Sequence, residues 1–302
     1  MKAIIPVAGH GTRLEPHTHK LQKCLLPVAG KPVLEHILDR IVQAGVTDIG
    51  LIIGRLGGQV KDFCLSYNKA NFSFFEQSEQ KGLGHAIYQG LEKSDTPVLI
   101  VLGDAILELN YKQFINSKNS TIGVTPVPDP ERFGIVELND NQIVKFLEKP
   151  INPPGNLAIS GIYYITSQIE LLNGIEYLIE NDIRTKNEYQ LTDALTVMLS
   201  NNHKFSALKI DDCLDCGIPD TFLSTNKILL EKRGENSVHQ SSRVKNSILK
   251  NCTISPNCII EDSKLENVIV LDGSKIINQN IKNTIIGFEE NLILAQTENI
   301  DL

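Results

Sequence analysis

The sequence predicts an α/β protein with a mixed central sheet over residues 1–235, followed by a short parallel β-helix of hexapeptide type over residues 236–302. Three observations predict it. Apolar strands alternate with amphipathic helices from Ile4 to Asp104, the pattern of a parallel sheet covered by helices. From Thr121 the texture changes to strands separated by turns. Beyond Gly234, Ile248, Ile254 and Ile260 recur every six residues, with Cys252 and Cys258 in step, as the coils of a solenoid do.

Each element has a local reason. Ile4 to Ala8 is an apolar run that stops at Gly9, so it reads as a buried strand opening into a glycine loop. Lys31 to Ala44 carries Leu34, Ile37, Leu38, Ile41 and Val42 on one helical stripe, and Gly45 ends it. A strand follows at Asp48 to Gly54, a helix at Val60 to Tyr67, a strand at Phe72 to Gln77 and a helix at Leu83 to Lys93. Val98 to Asp104 is almost wholly apolar, as a strand buried on both faces must be. Next come a strand from Thr121, a hairpin turning at Asn139 to Asn141, and a strand at Ile159 to Ile165 whose Gly161 marks a bulge or a close approach. Helices at Ile169 to Ile179 and Leu191 to Leu199, a strand at Phe205 to Ile210 and a helix at Thr221 to Lys232 complete this region. The register of six slips after Leu265, leaving room for two or three coils whose open end needs a cap or a partner. Self-association through this tail is expected, with the chemistry left to the preceding residues.

Composition narrows the function classes. A net charge of −7 argues against coating nucleic acid, so any phosphate site must be made positive locally. The amino terminus is too short in apolar residues for a secretory signal and no stretch is long enough for a membrane helix, so a cytoplasmic location is expected. Cys213 and Cys216 form a single CxxC with no second pair at zinc spacing, which argues for reduced thiols and against a structural zinc.

The chemistry starts in the glycine loop. Gly9 and Gly11 lack a Cβ and can let successive backbone N–H groups converge on an anion. Ala8 and Thr12 flank them, and Arg13 and Lys23 bring positive charge to the same stretch. Gly-x-Gly alone is common in turns, and the P-loop and dinucleotide motifs are both absent, since Glu15 and Pro16 stand where the latter needs a glycine and a helix. The whole string carries more. GHGTRLEPHT followed by KCLLPVAGKP resembles the signature of the sugar-nucleotide pyrophosphorylases, closest to the glucose-1-phosphate thymidylyltransferase and uridylyltransferase-like members with a C-terminal left-handed β-helix; Gln22 departs from the family's usual proline.

This resemblance, spanning Met1 to about Lys232, implies a Rossmann-like nucleotidyltransferase domain and assigns roles to named residues. Asp104, closing an apolar strand, and Asp215, in DCLDCGIPD, are the expected Mg²⁺ ligands, although Cys213 and Ile218 depart from the tryptophan and threonine of most relatives. Gln77 and Gly82 match the base-reading loop of the uridylyl and thymidylyl members; an amide can meet the imide edge of uracil or thymine, and a glycine lets the base lie flat. Gly134, Glu148, Lys149, Gly161 and Glu188 match the sugar 1-phosphate pocket. The implied reaction joins a nucleoside triphosphate, dTTP or UTP, to a sugar 1-phosphate such as glucose 1-phosphate, with Arg13 and Lys23 catalytic and a homo-oligomer as the working form. The alternatives are a guanylyltransferase acting on mannose 1-phosphate, which the Gln77 loop disfavours, and a non-catalytic sugar-nucleotide sensor, against which the joint presence of Arg13, Lys23, Asp104 and Asp215 argues.

Overall fold

The computed structural model describes residues 1–293. Its contacts divide the chain into two compact units, one of residues 1–10 and 37–213 and the other of residues 11–36 and 214–302.

The first unit is built on a nine-stranded mixed sheet in the order Asn71–Glu76, Asp48–Ile53, Lys2–Pro6, Val98–Val101, Leu157–Ile165, Ser120–Pro126, Phe205–Lys209, Gln142–Glu148, Gly134–Asn139. The first four are mutually parallel, with Lys2 opposite both Asp48 and Val98. In chain order they run third, second, first, fourth, so the direction of winding reverses between Lys2–Pro6 and Val98–Val101. Leu157–Ile165 then enters antiparallel to Val98–Val101, which makes the sheet mixed. The hairpin of Gly134–Asn139 and Gln142–Glu148 turns where expected, with Asp140 at φ 54. Ile4, Ile52, Val98, Ile100, Ile122 and Tyr163 on the strands meet Ala86, Ile87, Leu171, Ile175, Leu191, Ala194 and Leu195 on the helices in one buried cluster.

Several expected boundaries move, most by a residue or two, and three of the shifts concern the strand ends and the segment after the glycine loop. The helix begun at Leu83 stops at Tyr88, after which the bonds tighten to three residues, as from Gly90 N to Ile87 O at 3.0 Å; Gly90 passes close to the strands, where a Cβ would lie 2.9 Å from Ile52 Cδ1. The strand begun at Val98 ends at Val101, where Leu102 N turns to donate to Gly161 O at 2.9 Å, so Asp104 lies beyond the strand. Lys31 and Pro32 form a short strand against Pro27 and Val28 before the helix Val33–Gln43. The bulge foreseen at Gly161 is present: the register shifts between Ile159 and Tyr163, and Gly161 takes φ 85.

In the second unit the helix Pro219–Arg233 packs on parallel ladders whose partners lie 16 residues apart, as Ser237 on Thr253, Arg243 on Ile259, Ile248 on Lys264 and Lys264 on Asn280. A repeat of 16 is not a multiple of six, which explains the slipping register. Ile248, placed by the hexads on the core line, is 63% exposed, and the inward stacks are Leu249–Leu265–Ile281, Ile254–Val270–Ile286 and Ile260–Ile276–Leu292. The corners are left-handed and filled by residues that tolerate that conformation: Asn246, Asp262 and Asn278 at one, Asn251, Asn267 and Asn283 at the next. Among the described residues no helix is long and apolar enough to cross a membrane.

Within this unit, residues 27–30 are fastened to the helix and the ladders. Asn226, fully buried, accepts from Ala29 N at 2.9 Å and from Thr253 Oγ1 at 2.6 Å, and donates to Asn251 O at 3.3 Å. Arg233 Nη1 donates to Ala29 O at 2.7 Å, and a Cβ on Gly30 would lie 2.0 Å from Ser237 Oγ. The ladders are therefore a support for the segment that follows the glycine loop. Asn226→Leu strands the buried Ala29 N–H and Thr253 hydroxyl, and we predict a loss of about 2–4 kcal/mol in urea unfolding. A midpoint equal to the parent's would show that these groups find other partners.

Candidate active site

In an open α/β sheet the binding crevice lies beyond the carboxyl ends of the strands where the winding reverses. Here those ends lead into Ala8–Gly9 and into Leu102–Gly103–Asp104. The backbones are brought together by residues that have no side chain to interpose. A Cβ on Gly103 would lie 2.6 Å from Val7 Cγ1 and 2.9 Å from Pro6 O, and one on Gly54 would lie 2.6 Å from Ala8 O. Gln80 Nε2 donates to Ala8 O at 2.9 Å, so the loop bearing Gln77 and Gly82 is tied to the glycine loop's first residues. A Cβ on Gly9 would meet nothing within 4 Å.

The base-reading candidates sit at the next strand end. Gln77 N donates to Ile53 O at 2.9 Å, and the buried side chain donates through Nε2 to Gly82 O at 3.2 Å. Gly82 takes φ 106, and a Cβ on it would lie 2.8 Å from both Glu188 Cβ and Tyr189 O. Lys81 O accepts from Tyr189 N and Gly84 N donates to Tyr189 O, both at 2.8 Å. Two stretches a hundred residues apart in sequence are thus joined by main-chain bonds, and Gly82 faces Glu188. The Glu188 carboxylate is itself oriented by Gln190 Nε2 at 2.8 Å.

The other acceptor-side candidates form a second cluster. Gly134 pairs with Glu148 across the hairpin, and a Cβ on Gly134 would lie 3.1 Å from Thr192 Oγ1 and 3.2 Å from Glu148 Oε2. Lys149 Nζ stands 3.3 Å from Glu148 Oε1; the glutamate side chain is 7% exposed and the lysine 36%, so the pair has a buried anion and an accessible cation. Lys149 adopts φ 42, a strained conformation for a side chain of this kind, and its N donates to Phe133 O at 3.1 Å. Gly161 lies against Leu102: a Cβ on it would lie 3.0 Å from Leu102 Cδ1. Burial pushes the Tyr163 phenol up, and the negative charges of Glu148 and then Asp104 push it further, so one phenol senses both carboxylates. Asp193, which the sequence reading passed over, belongs here. Burial raises its pKa and Glu148 adds to the shift, against a hydrogen bond from Thr185; its Oδ2 is buried without a hydrogen-bond partner. A polar residue two places into an apolar helix was the available signal.

The second unit holds Gly11, Thr12, Arg13, Lys23 and Asp215. Gly11 takes φ 69, and the 3₁₀ turn Thr12–Leu14 follows. Thr18 Oγ1 donates to Gly11 O at 2.9 Å, and a Cβ on Gly11 would lie 3.0 Å from Lys23 Cβ, so the lysine side chain starts against the loop backbone. Arg13 is exposed. Asp215 is held before the helix Pro219–Arg233: Oδ1 accepts from Gly217 N at 2.9 Å, Oδ2 from Thr221 Oγ1 at 2.7 Å, and its carbonyl from Thr225 Oγ1 at 2.8 Å. Each carboxylate oxygen keeps a second lone pair. Asp104 and Asp215 are hard oxygen donors of the type Mg²⁺ accepts, and the fixed orientation of Asp215 fits a ligand role. Among the described residues no three His, Cys, Asp or Glu side chains form a ready-made metal cage.

Known proteins share this plan. The nucleotidyl transferase family model matches residues 2–232. The bifunctional protein GlmU of Methanocaldococcus jannaschii is 33% identical over 267 residues, covering 88% of this chain and 61% of the relative. This chain therefore spans about three-fifths of the length of that relative. A Bacillus anthracis protein described as a glucose-1-phosphate thymidylyltransferase, solved with a sucrose, superposes with a TM-score of 0.66 at 25% identity over 76% of this chain and 94% of its own. A UDP-glucose pyrophosphorylase complexed with UDP-glucose shares the fold with a TM-score of 0.65 at 24% identity over 77% of this chain and 99% of its own. With the reversal of the sheet, the glycine loop and the segment pairing with Gly82 all on the matched stretch, the chain belongs to the nucleotidyl transferase family and stands among its sugar-nucleotide pyrophosphorylases.

Proposed function

We propose that this chain transfers a nucleotidyl group from UTP or dTTP to a sugar 1-phosphate, with glucose 1-phosphate the first candidate, and releases pyrophosphate. The observation that carries the reading is the main-chain pairing of Lys81–Gly84 with Glu188–Tyr189, which supports a base-reading role for the Gln77–Gly82 loop and an acceptor-side role for Glu188. An oxygen of the sugar phosphate attacks the α-phosphorus; the new P–O bond forms as the bond to the bridging oxygen of the β-phosphate breaks, and that oxygen leaves on pyrophosphate. The attacking group is already anionic near neutral pH, since a phosphate monoester has a second pKa of about 6, so no general base is required. Positioning and charge neutralisation supply the catalysis.

The proposed roles follow from side-chain chemistry. Ala8, Gly9, Gly11 and Thr12 offer backbone N–H groups to phosphate, Arg13 takes the departing β- and γ-phosphates, and Lys23 takes the charge that builds on the α-phosphate. Gln77 and Gly82 read the base. Lys149 seats the incoming phosphate, with Glu148 and Glu188 accepting from sugar hydroxyls and Gly134 and Gly161 leaving room for the ring. Asp104 and Asp215 would hold Mg²⁺, whose chemistry there is the neutralisation of phosphate charge. We also propose that the ladders are a short β-helix, a variant of the hexapeptide type with corners five and six residues apart, through which copies associate in the cytoplasm.

Pyrophosphate release over a grid of nucleoside triphosphates and sugar 1-phosphates tests the function: turnover is expected with UTP or dTTP, and silence across the grid would overturn it. Light scattering tests the assembly, which a monomer would contradict. Lys23→Ala is expected to lower kcat by about 10²-fold in a folded protein, the effect of losing one contact to developing charge. Asp104→Asn is expected to move the Mg²⁺ titration of activity to higher concentration with nucleotide docking little changed, because it removes a metal ligand and leaves the base contacts. A wild-type titration curve would place the metal on other residues.

A further inference from the structure

The Gln77 amide is held on its nitrogen side. Gln77 Nε2 donates to Gly82 O at 3.2 Å and lies 3.3 Å from His85 Nδ1, one turn into the helix that begins at Leu83. A side-chain amide nitrogen has two protons, and these two acceptors take both. The amide oxygen then has no partner among the described residues. Turning the amide over would set Oε1 against the Gly82 carbonyl, acceptor against acceptor, and would lose the bond to His85. His85 can accept at Nδ1 only as a neutral imidazole carrying its proton on Nε2; Gln89 Nε2, 3.4 Å from that nitrogen, then donates to His85 O at 3.3 Å and not to the ring. Partial burial, then the nearby Lys81, holds its pKa below the usual histidine value, against a smaller opposing pull from Glu79.

Resting on the transferase reading for the presence of a nucleotide, we propose that His85 is a specificity-positioning residue: it locks Gln77 so that Oε1 alone faces the base, and the site therefore demands a base with an N–H at the ring position it meets. Uracil and thymine carry such a donor at N3. Cytosine, equal in size, has a bare lone pair there, so it meets Oε1 acceptor to acceptor and leaves a desolvated carbonyl unpaired. A site built around one such bond rejects the analogue lacking it far more strongly than an apolar pocket rejects a change of shape.

The test is equilibrium binding of UTP and CTP to the full chain, His85→Leu and His85→Asn, with pyrophosphate release measured alongside. Leucine fills the space and removes the acceptor, whereas asparagine places an amide oxygen where Nδ1 stood. The wild type is expected to prefer UTP, His85→Leu to lose about tenfold of that preference, the scale of one hydrogen bond, and His85→Asn to recover most of it. A merely structural histidine would weaken both nucleotides together and leave the ratio where it was; that outcome, or a wild type that binds the two alike, overturns the proposal. If UTP is preferred and the ratio moves as expected but no pyrophosphate is released with any sugar 1-phosphate, the transferase reading fails and the base lock stands.

Discussion

The crevice depends on one constraint, the contact of two backbones at Gly82 and Tyr189. Main-chain bonds from Tyr189 N to Lys81 O and from Gly84 N to Tyr189 O can form only if nothing projects from positions 82 and 84, where a Cβ would come within 2.8 Å of Tyr189 O. The left-handed conformation of Gly82 turns its carbonyl towards Gln77, and the same pairing brings Glu188 to the other side of the loop. Local conformation, long-range packing and the proposed ligand recognition thus rest on the same few atoms. At Gly54 and Gly103 the same device brings the strand ends together.

The second unit uses the opposite device, a polar side chain buried among partners. Asn226 joins Ala29, Thr253 and Asn251, and a buried amide with its bonds made fixes a unique arrangement where an apolar contact would leave several. The ladders support residues far from them in the chain. They hold the backbone at Ala29 and Gly30, a few residues after Lys23, so a change in the C-terminal strands reaches the segment on which the proposed phosphate chemistry depends.

Much of this was legible in the sequence. Alternating strands and helices gave the central sheet, Gly161 announced its bulge, and the Asn139–Asn141 turn its hairpin, because each is dictated by residues close together in the chain. What was hidden depends on distance. Gly90 is a local reason for the helix begun at Leu83 to end early, but its close approach to Ile52 shows only once the sheet is assembled. Asp193 and Glu148 influence each other only once the sheet is assembled. The tail's parallel strands were legible but its period was not: three exact sixes at Ile248, Ile254 and Ile260 cross corners of unequal length, and the 16-residue repeat shows instead in the asparagines at 251, 267 and 283, which reads as composition until the corners are known to be left-handed.

Backbone hydrogen exchange with and without UDP-glucose, a ligand with both a base and a sugar, addresses the central claim most directly. If the Gly82–Tyr189 pairing builds the crevice, exchange should slow together in residues 77–84 and 188–192 when the ligand is added. Protection that rises in one of these stretches without the other, or in neither while the ligand binds, would contradict the account.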